Sequence, residues 1–162
     1  MSLEIPTETR KAINAKALLC FGCGVCMGGC PVARVNDTFH PRRLVRELVM
    51  GDWGEILRGE AIWICAQCHV CNETCPQGVG ISDLIVDLRN IATGLRISPP
   101  EAYVENMRAM AETGRLAAVT PPTARMRSKL NLGNLGPAGA EEIRKLVRGT
   151  RFEGLITDPE EE

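Results

Sequence analysis

Two stretches decide the fold of this chain: CFGCGVCMGGCP at residues 20–31 and CAQCHVCNETCP at residues 65–76. Both follow the pattern C-x2-C-x2-C-x3-C-P, and every cysteine and the final proline recur at an offset of 45 residues. This pattern is typical of sites that hold iron–sulfur clusters. Because it occurs twice in a chain of 162 residues, it predicts two 4Fe-4S clusters.

The residues between the cysteines fit such a cluster. Three thiolates spaced two residues apart can wrap one face of a cubane, while backbone N–H groups of the loop point at its sulfur atoms and offset its negative charge. Small residues let the backbone approach closely, and glycine also adopts positive φ. The small residues of the two loops are Gly22, Gly24, Gly28, Gly29 and Ala66.

The fourth cysteine of each motif has a different role from the first three. In two-cluster proteins of this kind it ligates the other cluster, and the proline after it turns the chain away. We therefore expect one cluster on Cys20, Cys23, Cys26 and Cys75 and the other on Cys65, Cys68, Cys71 and Cys30.

Other uses of clustered cysteines agree less well with the spacing. A zinc site takes four ligands, usually in two pairs, so the third cysteine of each motif would be surplus. Secreted disulfide scaffolds usually exceed about 8–10% cysteine, and eight cysteines in 162 residues fall below that. His69 lies inside the second motif, but cysteines already fill the four ligand positions.

Composition limits the remaining function classes. Hydrophobic residues make up 44% of the chain, yet it has only six aromatic side chains, so we expect the clusters to occupy part of the core. A net charge of −1 excludes nonspecific nucleic-acid binding by phosphate neutralisation. We find no signal-peptide pattern and no apolar run near the roughly 20 residues of a membrane helix. We therefore expect a soluble, cytoplasmic protein.

Helical patterns surround both motifs. Residues 7–19 favour helix, and residues 40–51 combine an early proline with an apolar face of Leu44, Val45, Leu48 and Val49. After the second motif we expect a helix with Ser82 as N-cap, an Ile81–Val86 hydrophobic staple, and Leu84, Ile85, Leu88 and Ile91 facing inward before Gly94. Strand signals are poor, so the sequence favours a helical scaffold over a two-stranded ferredoxin.

The last part of the chain differs from the rest, and we expect a boundary between residues 1–98 and residues 99–162. Pro99 and Pro100 open a helical segment that Gly114 closes. Residues 123–151 then carry a surplus of five positive charges, and residues 152–162 are acidic. A helix at 138–148 places Ile143, Leu146 and Val147 on one apolar stripe that needs a cover. We expect this C-terminal helical extension and tail to dock on another polypeptide.

The sequence offers no site for substrate chemistry. It contains no complete G-x-G-x-x-G unit and no Ser/His/Asp or Cys/His arrangement outside the cysteine motifs. Two neighbouring clusters instead predict a conduit for single electrons. We therefore expect a non-catalytic electron-relay subunit of an oxidoreductase, with the chemistry on another polypeptide.

At this point the chain resembles a known family, the C-type small iron–sulfur subunit of heterodisulfide reductase. The resemblance is carried by the two cysteine motifs, HPRRLVRELVMG at 40–51, IWIC at 62–65 and VGISDLIVDLRNIA at 79–92. It covers residues 18–96 firmly, and PPEAYVENMRAMAETG at 99–114 is similar in kind.

The resemblance implies an α-helical ferredoxin fold with two 4Fe-4S clusters on the eight cysteines. It also implies two partners: an A-type flavin subunit, which also carries iron–sulfur clusters, and a B-type, cysteine-rich catalytic subunit, on which a disulfide or thiol is converted. The cysteine motif alone also occurs in iron–sulfur subunits of succinate dehydrogenase-like and glycolate oxidase-like enzymes, which are the alternative interpretation. A free ferredoxin-like carrier would not need the residues that follow the second motif.

Overall fold

The computed structural model describes residues 4–97, 99–116, 119–133, 135 and 139–156. Throughout these residues the regular structure is α-helical and includes no strand, which confirms the mainly α fold class. The helices are α1 Thr7–Ala17, α2 Val25–Gly29, α3 Pro41–Met50, α4 Trp53–Arg58, α5 Ala61–Ile64, α6 Val70–Glu73, α7 Ile81–Gly94, α8 Glu101–Thr113, α9 Pro121–Lys129, α10 Ala140–Val147 and α11 Glu153–Ile156. None of these helices is long and apolar enough to cross a membrane.

The chain divides into two compact units, Met1–Ser98 and Pro99–Glu162. In the first unit the two short motif helices, α2 and α6, pack against each other. Helix α3 packs on α2, and α7 packs on α6. The cysteine motifs therefore lie next to each other in this unit, with a longer helix beside each.

Helix α3 follows the sequence pattern closely. It starts at Pro41, which needs no N–H partner in the first turn, and ends before Gly51, whose φ of 90° gives a left-handed cap. The predicted face is buried at Leu44, Val45 and Leu48. Val49, expected on that face, is 45% exposed, so the buried stripe is narrower than the sequence predicts.

Helix α7 corrects two predictions. It starts at Ile81, with Gly80 as its N-cap at a φ of 69°, and Ser82 lies inside the first turn with only 1% exposure. The proposed staple is also wrong, because Val86 is 40% exposed. The inward face itself is as predicted: Leu84, Ile85 and Leu88 are fully buried and Ile91 is partly buried.

In the second unit α8 packs with α10 and α11. Helix α8 ends at Gly114, where the left-handed conformation closes it as the sequence predicts. The stripe on α10 is only partly covered: Ile143 and Val147 are half-buried, whereas Leu146 is 77% exposed. The apolar pattern of the sequence does not predict helix α9. None of its residues is buried, so the helix has no apolar face that such a pattern could reveal.

Candidate metal centre

The two cysteine loops have the same backbone path. Gly22 and Gly24 have φ of 79° and 82°, and the equivalent positions of the second motif, Gln67 and His69, have φ of 52° and 60°. A left-handed residue at these positions reverses the chain between successive cysteines. The expectation of small residues is thus confirmed for the first loop, but in the second loop larger side chains occupy the same conformation.

One glycine has a different, steric role. A Cβ atom at Gly29 would lie 2.7 Å from Cγ1 of Val70, whereas a Cβ at Gly28 would meet nothing within 4 Å. Real Cβ atoms essentially never approach another heavy atom this closely. Gly29 therefore lies where α2 and α6 pack closely, and a larger residue there would push the two motifs apart.

The thiols of the first motif lie close to a cysteine of the second. Burial raises the pKa of Cys26, and the neighbouring thiols of Cys20, Cys23 and Cys75 raise it further. Cys75 belongs to the second motif, so it lies near enough to interact electrostatically with Cys26. Thiols of the two motifs therefore lie on facing sides of the contact between α2 and α6.

The second motif is arranged in a similar way. Burial raises the pKa of Cys71 to about 11, with smaller contributions from Cys65, Cys68 and Cys26. A backbone hydrogen bond from Ser82 acts in the opposite direction and favours the thiolate. Buried thiolates that face one another need positive charge between them, which the iron atoms of a cluster supply.

The donor set fits iron–sulfur clusters better than a single ion. A zinc ion requires its ligands to meet at one point. Zinc ligands usually come in two pairs, so the third cysteine of each motif would be surplus. A cubane instead presents its iron atoms at separate corners, so its thiolates are spread around the cluster.

Several donors point at the cysteine sulfur atoms. The backbone N–H of Ala33 donates to Sγ of Cys30 at 3.4 Å. The side-chain amide of Gln67 lies 3.6 Å from Sγ of Cys65. Hydrogen bonds of this kind stabilise ligating thiolates and tune the cluster potential.

A polar network beside the second motif explains the burial of Ser82. Its hydroxyl lies 2.9 Å from Nδ1 of His69, and its backbone N–H donates to Oδ1 of Asn72 at 2.9 Å. Asn72 donates in turn to Asp83 at 2.9 Å. The network joins the cysteine loop to the first turn of α7. Within it, the imidazole of His69 is hydrogen-bonded to the hydroxyl of Ser82.

Arg89 is a site residue that the sequence analysis missed. Its Nε donates to the carbonyl of Ile62 at 2.6 Å, and its Nη2 donates to those of Trp63 and Cys65 at 3.1 and 2.9 Å. The guanidinium also lies 5.8 Å from the ring centroid of Trp63. Arg89 thus fixes the segment that enters the second motif. The sequence does carry a signal for this role. Arg89 lies four residues after Ile85, so a charged residue falls on the inward, otherwise apolar face of α7.

Two further arginines hold the first loop. Arg42 donates to the carbonyl of Gly22 at 3.0 Å, and Arg34 donates to that of Gly28 at 3.1 Å. Both therefore bring positive charge to the loop that carries Cys20, Cys23 and Cys26. Each cysteine loop is thus held in place by arginine side chains that donate hydrogen bonds to backbone carbonyl groups.

Comparisons with known proteins agree with this geometry. A family profile described as a 4Fe-4S dicluster domain matches residues 16–79. The C subunit of the H2:CoB-CoM heterodisulfide,ferredoxin reductase of Methanothermobacter thermautotrophicus is 31% identical over 93% of this chain and 84% of its own length. The C subunit of the Ferredoxin:CoB-CoM heterodisulfide reductase of Methanosarcina mazei is 28% identical over 98% of this chain and 99% of its own. The iron–sulfur C subunit of the CoB–CoM heterodisulfide reductase of Methanopyrus kandleri is 29% identical over 92% and 79%. The dicluster domain and the eight cysteines fit two 4Fe-4S clusters.

Proposed function

The chain belongs to the family of the C-type iron–sulfur subunits of heterodisulfide reductases, and we propose that it relays electrons from the flavin subunit of a heterodisulfide reductase-like complex to its catalytic subunit, or in the reverse direction. Family membership itself confirms the resemblance found in the sequence and gives the chain an electron-transfer role within an oxidoreductase. We place the complex in the cytoplasm, where thiols stay reduced.

The observation that carries the proposal is the contact between the two motifs. Helices α2 and α6 meet where Gly29 leaves room for Val70. Two clusters bound to loops in such contact lie close together, which suits stepwise transfer of single electrons. A chain that passes electrons from one cluster to the other needs this proximity.

We further propose that each motif lends its fourth cysteine to the other cluster. The repeated motif spacing and the contact between α2 and α6, which brings the two motifs together, support this exchange. The N–H of Ala33 on Cys30 Sγ supports Cys30 as a stabilised thiolate. The proposed ligand sets are Cys20, Cys23, Cys26 and Cys75 for one cluster and Cys65, Cys68, Cys71 and Cys30 for the other.

When bound, the clusters accept and release single electrons, and the polypeptide controls their surroundings. The arginines on the loop carbonyls orient the cysteine segments. Buried Trp63, 7% exposed at the entry to the second motif, excludes water from that side. We propose that the conversion of a disulfide or thiol occurs on the catalytic subunit, not on this chain.

Residues 99–162 are proposed to contact a partner subunit. In support, the unit exposes several large apolar side chains, namely Leu116, Met126, Leu130, Leu132, Leu135 and Leu146. Exposed apolar groups in such number favour an interaction surface over a free surface.

The proposal is tested by isolating the native complex through a tag on this chain. We expect the flavin and catalytic subunits to co-purify with it, with about eight iron atoms and eight acid-labile sulfides per chain, as two four-iron clusters require. The reduced flavin subunit should then reduce the clusters of this chain in stopped-flow spectroscopy. Isolation in a tight complex with a succinate dehydrogenase-like or glycolate oxidase-like flavoprotein would instead establish the alternative function.

A further inference from the structure

A cleft of about 710 Å³ opens beside the first cysteine motif. On one side it is lined by residues 20–22 of the loop, and on the other by Arg42, Arg43 and Arg46 of α3. Of the eight cysteines, all of them within the described residues, only Cys20 lines it. The cleft is thus not the chamber of a cluster but a surface opening that reaches one of its proposed ligands.

The rim of the cleft is apolar and exposed. Phe21 is 64% exposed, Met50 is 68% exposed and Val49 is 45% exposed. Single exposed apolar residues are common, but three of them around one opening form a patch of the kind that marks an interaction site.

The charged side chains that line the cleft indicate which kind of partner it can bind. Arg43 pairs with Glu47 at 2.7 Å, and Arg42 donates to a loop carbonyl. Arg46 is exposed and, within the part of the chain that the structure describes, makes no hydrogen bond or ion pair. Three arginines against one glutamate leave a net positive face, on which the guanidinium of Arg46 can bind a carboxylate.

We propose that this cleft is the docking site for an acidic segment of a redox-partner subunit. A carboxylate of that segment pairs with Arg46, and an apolar side chain of the same segment packs on Phe21 and Met50. This inference rests on the proposed function, because it makes the first motif the point at which electrons pass between this chain and that partner. Complementary charge at such a face accelerates association and fixes its orientation.

The test reverses the charge of the cleft without touching the cysteine loop. The double variant R43E/R46E is compared with R58E on α4, since Arg58 is also exposed and does not line the cleft. The flavin and catalytic subunits are immobilised separately, and binding of the cluster-loaded chain to each is measured at low and at high salt. Arg42 is left unchanged because it holds Gly22.

We expect R43E/R46E to bind one of the two subunits at least ~10-fold more weakly at low salt, with a smaller difference at high salt. R58E should bind as the unmodified chain does. M50S should weaken the same interaction and V86S, on α7 outside the cleft, should not. Iron content and electron paramagnetic resonance spectra should stay unchanged in all four variants.

Several outcomes would overturn the inference. One is equal binding by R43E/R46E and R58E to both subunits. Another is a dimer of the chain alone that R43E/R46E dissolves, which would make a second copy the occupant. A third is an equal effect of M50S and V86S on binding, which would remove the apolar rim of the cleft from the interaction. If the unmodified chain binds neither subunit, the proposed function fails; if it binds and the arginine variants bind equally well, only the docking site fails.

Discussion

At the scale of single residues, Gly29 shows how the absence of a side chain lets the two cysteine motifs come together. Its missing Cβ leaves room for Val70, whose β-branched side chain has little rotamer freedom with which to move away. Gly28 lies beside it in the same helix, but no atom lies within 4 Å of the position of its Cβ. The sequence shows two adjacent glycines, and only the packing tells them apart.

The first prediction follows from that difference. G29A should lower the free energy of unfolding by about 1–3 kcal/mol, because the new methyl group overpacks the contact between α2 and α6. Urea denaturation of the cluster-loaded chain measures the loss, and iron content should fall with it.

The matched control is G28A, which should be neutral or slightly stabilising because alanine favours helix. The double variant G29A/V70A should recover part of the loss by removing the clashing methyl groups. Equal stability of G29A and G28A would contradict the steric role of Gly29.

The second prediction concerns Arg89. R89Q should destabilise the chain by about 2–3 kcal/mol, since it removes hydrogen bonds from a charged donor to partly buried carbonyls. It should also lower the midpoint potential of the cluster bound by the second motif, because a positive charge near its loop is lost. Redox titration followed by electron paramagnetic resonance measures that shift.

R58Q on the exposed end of α4 is the control, and it should change neither stability nor potential. R89K should recover part of the potential shift, because it keeps the charge, but less of the stability, because it cannot reproduce the forked hydrogen bonds. An unchanged potential in R89Q would limit Arg89 to a structural role.

At the scale of helices, sequence periodicity predicts that a helix exists better than it predicts the residues at which the helix begins and ends. The inward faces of α3 and α7 follow from apolar spacing, because burial of one stripe stabilises each helix. The start of α7 does not follow from it. Ser82 is a good N-cap by composition, but its hydroxyl binds His69 and Gly80 takes the left-handed position instead. A contact with a residue 13 positions away overrides the local capping preference.

The third prediction tests the half-covered stripe of α10. I143A should destabilise the second unit by about 1 kcal/mol or more, because Ile143 is half-buried on a helix that packs with α8. L146A should leave stability unchanged, because Leu146 is 77% exposed. Thermal unfolding of the two variants measures the difference, and equal effects would contradict this orientation of α10.

At the scale of the whole molecule, the central question is which cysteine belongs to which cluster. Cys30 and Cys75 each stand at the end of one motif, while the contact between α2 and α6 brings the motifs together. An exchange of the fourth cysteines across this contact leads to the fourth prediction.

C75A should perturb the cluster of the first motif, and C30A should perturb that of the second. Redox titrations followed by electron paramagnetic resonance give the measurement. C23A and C68A serve as reference variants, because Cys23 and Cys68 each lie in the middle of one motif. The spectrum of C75A should match that of C23A, and the spectrum of C30A should match that of C68A. The reverse pairing would refute the exchange of fourth ligands.

The sequence by itself determined the number of clusters and the helical class of the scaffold, and it predicts the eight cysteine ligands. These features are encoded locally, since ligand spacing and apolar periodicity extend over only a few residues. Tertiary structure alone decided the contact of Gly29 with Val70, the reach of Arg89 from α7 to Ile62, and the cleft between the first loop and α3. Each of these joins residues from separate helices or loops. Their geometry depends on how the helices pack, which no local pattern specifies.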